Sequence, residues 1–230
     1  MQGRSLPLVL AARGPEPAPA VTIRQAVVAG WTGRDRDAVN RHIAELEALG
    51  VRPPSTTPIF YRVSAARVTV DEAIQVSGSY SSGEVEFVLL QAGGRLWLGV
   101  GSDHTDRHVE AYNVTVSKQM CDKPIAPLFW PFDDVLPHWN RLKLRSYIGS
   151  ADAPELYQEG TVDAMLDPAD LISRFTGEVN LPEGTLMLCG TLAAHGGVRP
   201  SERFMFELED PVLERKIRHQ YTVSSLPVVE

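Results

Sequence analysis

Short apolar runs, separated by turns rich in glycine and proline, dominate the chain from residue 21 onward. Runs of this length with β-branched and aromatic residues are typical of strands. Strands are predicted at 21–29 and 68–76, in the segment before Gly190, and as a final pair joined at Asp210-Pro211. Because few stretches have the spacing of a helix, the pattern predicts a protein rich in β-structure.

Two segments do have helical spacing. In residues 37–49, apolar side chains recur every three or four positions, which predicts a short amphipathic helix that begins at Asp37 and ends before Gly50. A second helix is predicted over residues 167–175, with Pro168 in its first turn. The first helix follows a charged turn that contains two glycines.

The most distinctive stretch covers residues 83–118 and holds three carboxylates in apolar surroundings. Glu84 and Glu86 are two residues apart on a predicted strand, so their side chains point to the same face. Gly93-Gly94 is typical of a turn, which would bring the next apolar run and Asp103 back beside them. Three like charges repel one another, and a divalent cation such as Mg²⁺ or Mn²⁺ would resolve the conflict. The alternative is an ordinary solvated strand face, the commoner setting for exposed glutamates.

Length and composition narrow the class of protein. With 230 residues, the chain can bury a sizeable core in one domain. Its formal net charge is −7 without a basic block, which argues against a nucleic acid partner. Two cysteines are too few for a disulfide framework and favour a reducing, cytoplasmic setting. No apolar run reaches the length of a membrane span.

The N-terminal residues differ in composition from the rest of the chain. Residues 1–20 end in the proline-rich sequence GPEPAPA and are predicted to form an N-terminal arm. The apolar stretch SLPLVLAA within it is predicted to be a strand or extended segment rather than a signal peptide. The remaining residues, 21–230, are predicted to form a single domain.

Three motifs resemble those of the fumarylacetoacetate hydrolase superfamily. EVEF resembles its E-x-E metal strand, and GSDHTDRHVE resembles its N-D-x-S-A-R-D-x-Q signature. LPEGTLMLCGTLAAHGG is similar to the superfamily's P-G-D-x-I-x-x-G-T-P-x-G motif. The resemblance extends over residues 21–223, with the motifs in the superfamily's order. It implies an α+β, β-rich fold: a mixed β-roll or β-sandwich with a few short helices, which forms the catalytic domain.

The resemblance also implies a role for each matching residue. The cation, Mg²⁺ or Mn²⁺, would be held by Glu84, Glu86 and Asp103. Lys118 lies where the superfamily has the lysine of its G-K-S-F motif, so it is predicted to be catalytic. Substrate contacts are predicted for five residues: Arg62, Arg107, Glu110, Gly190 and Thr191. Arg62 equally fits an exposed position on a surface strand.

The sequence RDAVNRHIAEL, in the first predicted helix, resembles the N-Y-x-x-H-x-x-E lid of the superfamily's acylpyruvases and oxaloacetate decarboxylases. His42 and Glu45 are three residues apart and would share one face of the helix. The resemblance implies a mobile lid over about residues 30–50, in which Glu45 orients His42 as the catalytic base that activates water. A solvated His/Glu pair on an exposed helix is the alternative.

These features together predict a metal-dependent hydrolase that cleaves a C–C bond in a small oxo-acid of acylpyruvate type through a metal-stabilised enolate. Decarboxylation, hydration or isomerisation of a 2-oxo acid would use the same enolate and stays an alternative within this fold. A non-catalytic protein that binds a metal and a carboxylate is a further alternative. The expected protein is a cytoplasmic homodimer that binds a small anionic oxo-acid, without nucleic acid or membrane partners.

Overall fold

The computed structural model describes residues 3–11, 21–48 and 53–229, without the side chains of His42, Glu45 and Leu46. Within these ranges the strands are, in chain order, β1 (Arg4–Leu6), β2 (Val9–Leu10), β3 (Val21–Ile23), β4 (Gln25–Gly30), β5 (Ile59–Val63), β6 (Val68–Thr69), β7 (Ala73–Ser77), β8 (Ser81–Ser82), β9 (Val85–Ala92), β10 (Arg95–Ser102), β11 (Thr105–Asp106), β12 (Lys123–Pro124), β13 (Leu128–Pro131), β14 (Lys143–Gly149), β15 (Pro154–Thr161), β16 (Thr185–Leu188), β17 (Arg203–Asp210) and β18 (Arg215–Leu226). The α-helices are α1 (Arg36–Ala48), α2 (Arg107–Tyr112), α3 (Val114–Met120), α4 (Phe132–Val135) and α5 (Pro168–Thr176). Short 3-10 helices lie at Ala65–Arg67, Leu136–Arg141 and Val162–Ala164.

The larger sheet has seven strands in the order β2-β13-β10-β9-β16-β4-β5. At its centre, β9 and β10 form an antiparallel hairpin that is paired along its full length. Gly93 and Gly94, both with positive φ, form the turn. Glu183 accepts hydrogen bonds from their N–H groups, at 2.6 and 3.3 Å. The predicted hairpin is therefore confirmed, and it returns Asp103 to the side of Glu84, whose carbonyl accepts the Asp103 N–H at 3.0 Å.

The smaller sheet has five strands in the order β15-β14-β17-β18-β7. Its last two strands in sequence, β17 and β18, pair antiparallel, as predicted for the end of the chain. Asp210 begins the turn between them and accepts hydrogen bonds from the N–H groups of Val212 and Leu213, each at 3.1 Å. β18 then pairs in parallel with β7, which ties the end of the chain to the middle of the sequence.

Alternation along β9 divides its side chains between two apolar cores. Phe87 and Leu89 join the core between the two sheets, together with side chains of β14, β17 and β18. Val88 and Leu90 belong to a second core on the other face of the larger sheet. Glu86 is two residues before Val88, so it points to this second face. A buried carboxylate therefore lies in line with buried apolar side chains.

Part of the predicted N-terminal arm belongs to the folded domain. β1 pairs antiparallel with β3, and β2 pairs in parallel with β13. Leu6 and Leu8 are buried in the second core. Residues 12–20, which contain the whole of the proline-rich sequence GPEPAPA, lie outside the described ranges.

The fold class predicted from the sequence is confirmed, but two predicted strands are each divided. The strand predicted at 21–29 is broken at Arg24, whose N–H donates to the carbonyl of Gly184 at 2.8 Å instead of continuing the strand pairing. The strand predicted at 68–76 is two short strands, β6 and β7, that belong to different sheets. At Arg24 the phase of the alternation changes, because Val21 and Ile23 face the second core and so do Ala26 and Val28.

The helix predicted over residues 167–175 is confirmed as α5, with Pro168 in its first turn. The first predicted helix is also present, but α1 begins at Arg36 and its cap is Asp35, not Asp37. The Asp35 carboxylate accepts hydrogen bonds from the N–H groups of Asp37 and Ala38, each at 3.0 Å. Gly50, predicted to end this helix, lies outside the described residues. None of the described helices is long and apolar enough to cross a membrane.

Candidate metal centre

Three carboxylates meet where the β9–β10 hairpin opens away from its turn. Glu84 directly precedes β9, Glu86 is the second residue of β9 on the same face, and Asp103 directly follows β10. Each of the three offers one oxygen, and these oxygens all lie within 4.8 Å of one another. Glu86 and Asp103 are buried, and Glu84 is partly exposed. The structure thus brings together the three residues that the sequence predicted as metal ligands.

Two lysines neutralise Asp103, whose side chain is fully buried. The ammonium of Lys118 forms an ion pair with Oδ2 of Asp103. Lys123 lies 3.3 Å from Oδ1 and donates to the carbonyl oxygens of His104 at 2.5 Å and Cys121 at 3.2 Å. Lys118 was predicted at the site, whereas Lys123 had no predicted role. Its signal in the sequence was a lone lysine in the apolar, proline-rich run CDKPIAPLFWP.

Arg107 forms ion pairs with two glutamates, Glu84 and Glu110. Its guanidinium lies 3.3 Å from Glu84, donates to Glu110 at 2.8 Å and donates through Nε to the Ser82 hydroxyl at 2.7 Å. Arg107 and Glu110 are neighbours on α2, which begins where the carboxylate of Asp106 accepts the N–H of Val109 at 2.8 Å. Two predicted substrate-binding residues therefore lie at the edge of the carboxylate cluster.

The acid–base properties of the three carboxyls differ although they are close together. Burial raises the pKa of Glu86 well above its usual value, and the charge of Asp103 raises it further. Burial also raises the pKa of Glu84, although Arg107 opposes the rise. Burial would raise the pKa of Asp103 as well, but the ammonium groups of Lys118 and Lys123 outweigh it and hold that pKa well below the usual range.

The donor set fits a hard divalent cation. Carboxylate oxygens are the ligands that Mg²⁺ and Mn²⁺ prefer in proteins, and three of them leave positions for water and substrate. Glu86 is already oriented, because its Oε2 accepts the N–H of Gly190 at 2.7 Å. Fixed ligands of this kind lower the cost of ordering a metal site.

Gly190 and Thr191, which were predicted to contact substrate, lie against the cluster, and the hydrogen bonds they form are made within the protein. The Thr191 hydroxyl donates to the carbonyl of Val85 at 2.8 Å and accepts from Gln158 at 2.8 Å. Gly190 donates to Glu86. The contacts of these two residues therefore orient the start of β9.

Arg62 is not brought to the cluster. On β5, neighbouring Tyr61 is buried and its ring lies 5.6 Å from the Lys118 ammonium, so Arg62 points away from Lys118. Its guanidinium donates to Gln25 at 2.5 Å and lies 5.7 Å from the centre of the Phe175 ring. Arg62, Gln25 and Phe175 line a surface cleft that is separate from the carboxylate cluster and that also contains Thr176, the last residue of α5.

The predicted catalytic dyad falls on α1. The helix includes both His42 and Glu45, at the predicted three-residue spacing. Their side chains lie outside the part of the chain that the structure describes. The dyad and the lid therefore stay predictions from the resemblance.

A buried histidine next to Asp103 was not assigned a role from the sequence. The two ring nitrogens of His104 lie 2.8 Å from the Tyr221 hydroxyl and 2.9 Å from the Ser81 hydroxyl. Burial lowers the pKa of His104 to about 3, and the nearby Lys123 ammonium contributes in the same direction. The imidazole is therefore neutral in the folded protein at ordinary pH.

His104 should make the folded protein sensitive to mild acid. The histidine pKa is about 6.5 in the unfolded chain, so protons bind the unfolded state first as the pH falls. The stability that the neutral ring provides is present above about pH 6.5 and is lost progressively toward pH 3, by about 2 kcal/mol at pH 5. Urea unfolding with EDTA at pH 8 and pH 5 tests this, and His104→Gln should lose about 2 kcal/mol less than the wild type over that range. Equal losses in the two proteins would contradict the assignment.

The model of the family described as "Protein of unknown function (DUF2848)" matches residues 29–221. The chain belongs to this family. Among curated proteins, none matches the sequence of this DUF2848 chain significantly.

Solved structures share the fold of the DUF2848 chain at low sequence identity. The 5-carboxymethyl-2-hydroxymuconate delta-isomerase from Mycobacterium smegmatis is 15% identical with a TM-score of 0.64, over 90% of this chain and 79% of the isomerase. The fumarylacetoacetate hydrolase from psychrophilic Exiguobacterium antarcticum is 16% identical with a TM-score of 0.63, over 91% and 78% of the two chains. A 2-keto-3-deoxy-D-arabinonate dehydratase, complexed with magnesium and 2,5-dioxopentanoate, is 14% identical with a TM-score of 0.64, over 89% and 74%. The predicted fumarylacetoacetate hydrolase superfamily fold is thereby confirmed. The three enzymes carry out different reactions.

Proposed function

We propose that this DUF2848 chain is a divalent-cation-dependent enzyme that hydrolyses a C–C bond in a small oxo-acid of the acylpyruvate type. The observation that carries the proposal is the convergence of Glu84, Glu86 and Asp103, with an oxygen of each within 4.8 Å of the others. In the similar fold of the arabinonate-derived keto-acid dehydratase, magnesium and an oxo compound are bound together. That pairing supports an oxo-acid substrate for the present chain.

The three carboxylates would hold Mg²⁺ or Mn²⁺. When bound, such a cation would act as a Lewis acid toward the carboxylate and keto oxygens of the substrate and favour the enolate that the reaction requires. The chain itself supplies the positive charge that an anionic substrate needs. Arg107 and Lys118 lie at one edge of the cluster, where both contact Glu110.

The protein residues have separate roles in this proposal. Arg107 binds the substrate carboxylate with its planar guanidinium, which matches the geometry of a carboxylate. Lys118 neutralises the negative charge that develops on the keto oxygen. Gly190 and Thr191 hold Glu86 and the start of β9 in place. On the predicted lid, Glu45 orients His42, which takes a proton from the attacking water.

A substrate assay tests the proposed function. Acylpyruvates and oxaloacetate absorb in the ultraviolet, so their loss can be followed with Mg²⁺ or Mn²⁺, and again after chelation by EDTA. The proposal expects cation-dependent loss of an acylpyruvate with release of pyruvate and a second carboxylic acid. Loss of oxaloacetate with release of CO₂ would indicate a decarboxylase instead. A protein that binds the cation and oxalate without consuming either substrate would be a non-catalytic binder.

Replacement of His42 tests the catalytic dyad. His42→Ala should lower kcat by about 10²- to 10⁴-fold, the usual share of general acid–base catalysis, because no side chain would then activate water. Glu45→Gln should cost less, since an amide still orients the imidazole. Metal affinity should be unchanged in both variants. Arg41→Ala, an exposed neighbour on α1, serves as the control and should keep full activity. Full activity of His42→Ala would rule the dyad out, and loss of metal binding would make His42 a ligand.

A further inference from the structure

The two lysines at Asp103 are held in different ways. Lys123 is fully buried, and two backbone carbonyls fix its ammonium in addition to Asp103. Within the described residues, the ammonium of Lys118 contacts side chains alone: Asp103, Glu110 and the Tyr61 ring. Lys123 is therefore a fixed charge, whereas the flexible side chain of Lys118 has a choice of partners.

Lys118 holds the oxygen that a cation would need. Oδ1 of Asp103 accepts the hydroxyl of Thr105 at 3.2 Å and faces Lys123 at 3.3 Å. Oδ2 is the oxygen with which Lys118 pairs. A divalent cation bound among Asp103, Glu84 and Glu86 would compete with this ammonium for Asp103, because two cations on one oxygen repel strongly in a buried site.

A second acceptor for Lys118 is already nearby. Oε1 of Glu110 lies 4.0 Å from the Lys118 ammonium, and Glu110 is more exposed than Asp103. Both residues project from short neighbouring helices, Glu110 from α2 and Lys118 from the last turn of α3. Rotation of the Lys118 side chain alone would carry the ammonium from one carboxylate to the other.

We propose that Lys118 is a displaceable internal cation, which neutralises the carboxylate cluster without metal and moves from Asp103 to Glu110 when a divalent cation binds. The inference rests on the proposed metal site. In that site, the position of the Lys118 side chain would set the apparent affinity for the cation. Asp103 accepts the metal only in the fraction of molecules in which Lys118 has left it. The apparent metal affinity is lowered by that fraction. Displacement also delivers the ammonium to the edge of the site at which Arg107 lies, where an anionic substrate would bind.

Metal titration of lysine variants tests the displacement. Lys118→Met removes the charge and keeps an unbranched side chain that is one atom shorter, so its affinity for Mn²⁺, measured by calorimetry, should rise at least about tenfold over the wild type. Lys123→Met is the matched control, because it removes an ammonium next to the same carboxylate but not the competitor at Oδ2. If Lys123→Met raised the affinity for Mn²⁺ as much as Lys118→Met does, the change in net charge would explain the effect. That result would overturn the inference.

Chemical labelling of the wild-type protein gives a second test that needs no variant to fold. Acetylation by an N-hydroxysuccinimide ester, located by mass spectrometry, should become faster at Lys118 when Mg²⁺ is added, because the amine moves to a more exposed carboxylate. Lys123 is the internal control and should stay protected with and without Mg²⁺. Unchanged labelling of Lys118 at saturating Mg²⁺ would overturn the inference.

The outcomes separate this inference from the proposed function. If the wild type binds Mn²⁺ and Lys118→Met binds it no more tightly, the displacement is wrong and the metal site stands. If Lys118→Met binds Mn²⁺ and the wild type does not, Lys118 is the competitor, and the cation-dependent function is wrong for the natural chain. If neither protein binds Mn²⁺, both proposals are overturned.

Discussion

Replacing Glu86 with glutamine is expected to weaken Mg²⁺ or Mn²⁺ binding at least about 100-fold, while the protein stays folded. Glutamine has nearly the same shape and can still accept the Gly190 N–H, which lies 2.7 Å from the carboxylate in the wild type. It has no charge, however, and it removes one of the three converging carboxylates. Calorimetric titration measures the affinity, and circular dichroism checks the fold.

Glu207→Gln is the control for the loss of a buried carboxylate. Glu207 is 1% exposed on β17 and pairs with Arg145 and Arg218, outside the metal cluster. Its replacement should leave the affinity for metal unchanged, even if it lowers the stability. Equal affinity in Glu86→Gln and the wild type would remove Glu86 from the site and leave two carboxylates, too few for the proposed centre.

Gly190→Ala is expected to cause the largest loss of stability among single substitutions near the site. Gly190 has a φ of 101°, and a Cβ added there would lie 1.8 Å from Oγ1 and 3.0 Å from Cβ of Thr32. Thr32 is buried and branched at Cβ, so it cannot easily move aside. Backbone strain and overpacking together should lower the free energy of unfolding by roughly 2–5 kcal/mol. Urea denaturation measures this loss.

Gly197→Ala separates the two causes of that loss. Gly197 also has a positive φ, 83°, but nothing lies within 4 Å of an added Cβ. It should lose only the backbone part, about 1–2 kcal/mol. In addition, Gly190→Ala should weaken metal binding, because the backbone N–H that orients Glu86 would shift, whereas Gly197→Ala should not. Equal losses of stability in the two variants would show that Thr32 yields and that the contact is not tight.

The features of the site that sequence analysis predicted are those that local rules determine. Same-face spacing of Glu84 and Glu86 follows from the geometry of any strand, and Gly93-Gly94 specifies a tight turn. Together these rules bring Asp103 to the glutamates without further information. The repulsion of three carboxylates in apolar surroundings then pointed to a divalent cation, and the resemblance to a known superfamily supported that hypothesis.

Other features depend on contacts between residues far apart in sequence. α2 and α3 have six and seven residues, too few for apolar spacing to reveal them, although Asp106 and Asn113 cap them. Lys123 lies at the site because β12 pairs with β6, a contact between segments about 55 residues apart. No local pattern encodes that pairing.

Arg62 shows how one position decides the outcome on a strand. The resemblance implied a substrate contact for Arg62. On β5, however, Tyr61 faces Lys118 and Arg62 faces the opposite side. A shift of one residue reverses the face of a strand, so an approximate match in sequence cannot assign a side chain to a site.

We propose above that Glu84, Glu86 and Asp103 bind one divalent cation, which in turn binds an oxo-acid. A crystal structure of the wild-type protein grown with Mn²⁺ and oxalate tests it most directly, because manganese gives an anomalous signal and oxalate mimics an enolate of a 2-oxo acid. We expect a single manganese peak in contact with all three carboxylates and with both ends of the oxalate, and the Lys118 ammonium next to Glu110. A manganese peak elsewhere, or no peak at saturating Mn²⁺, would contradict the account.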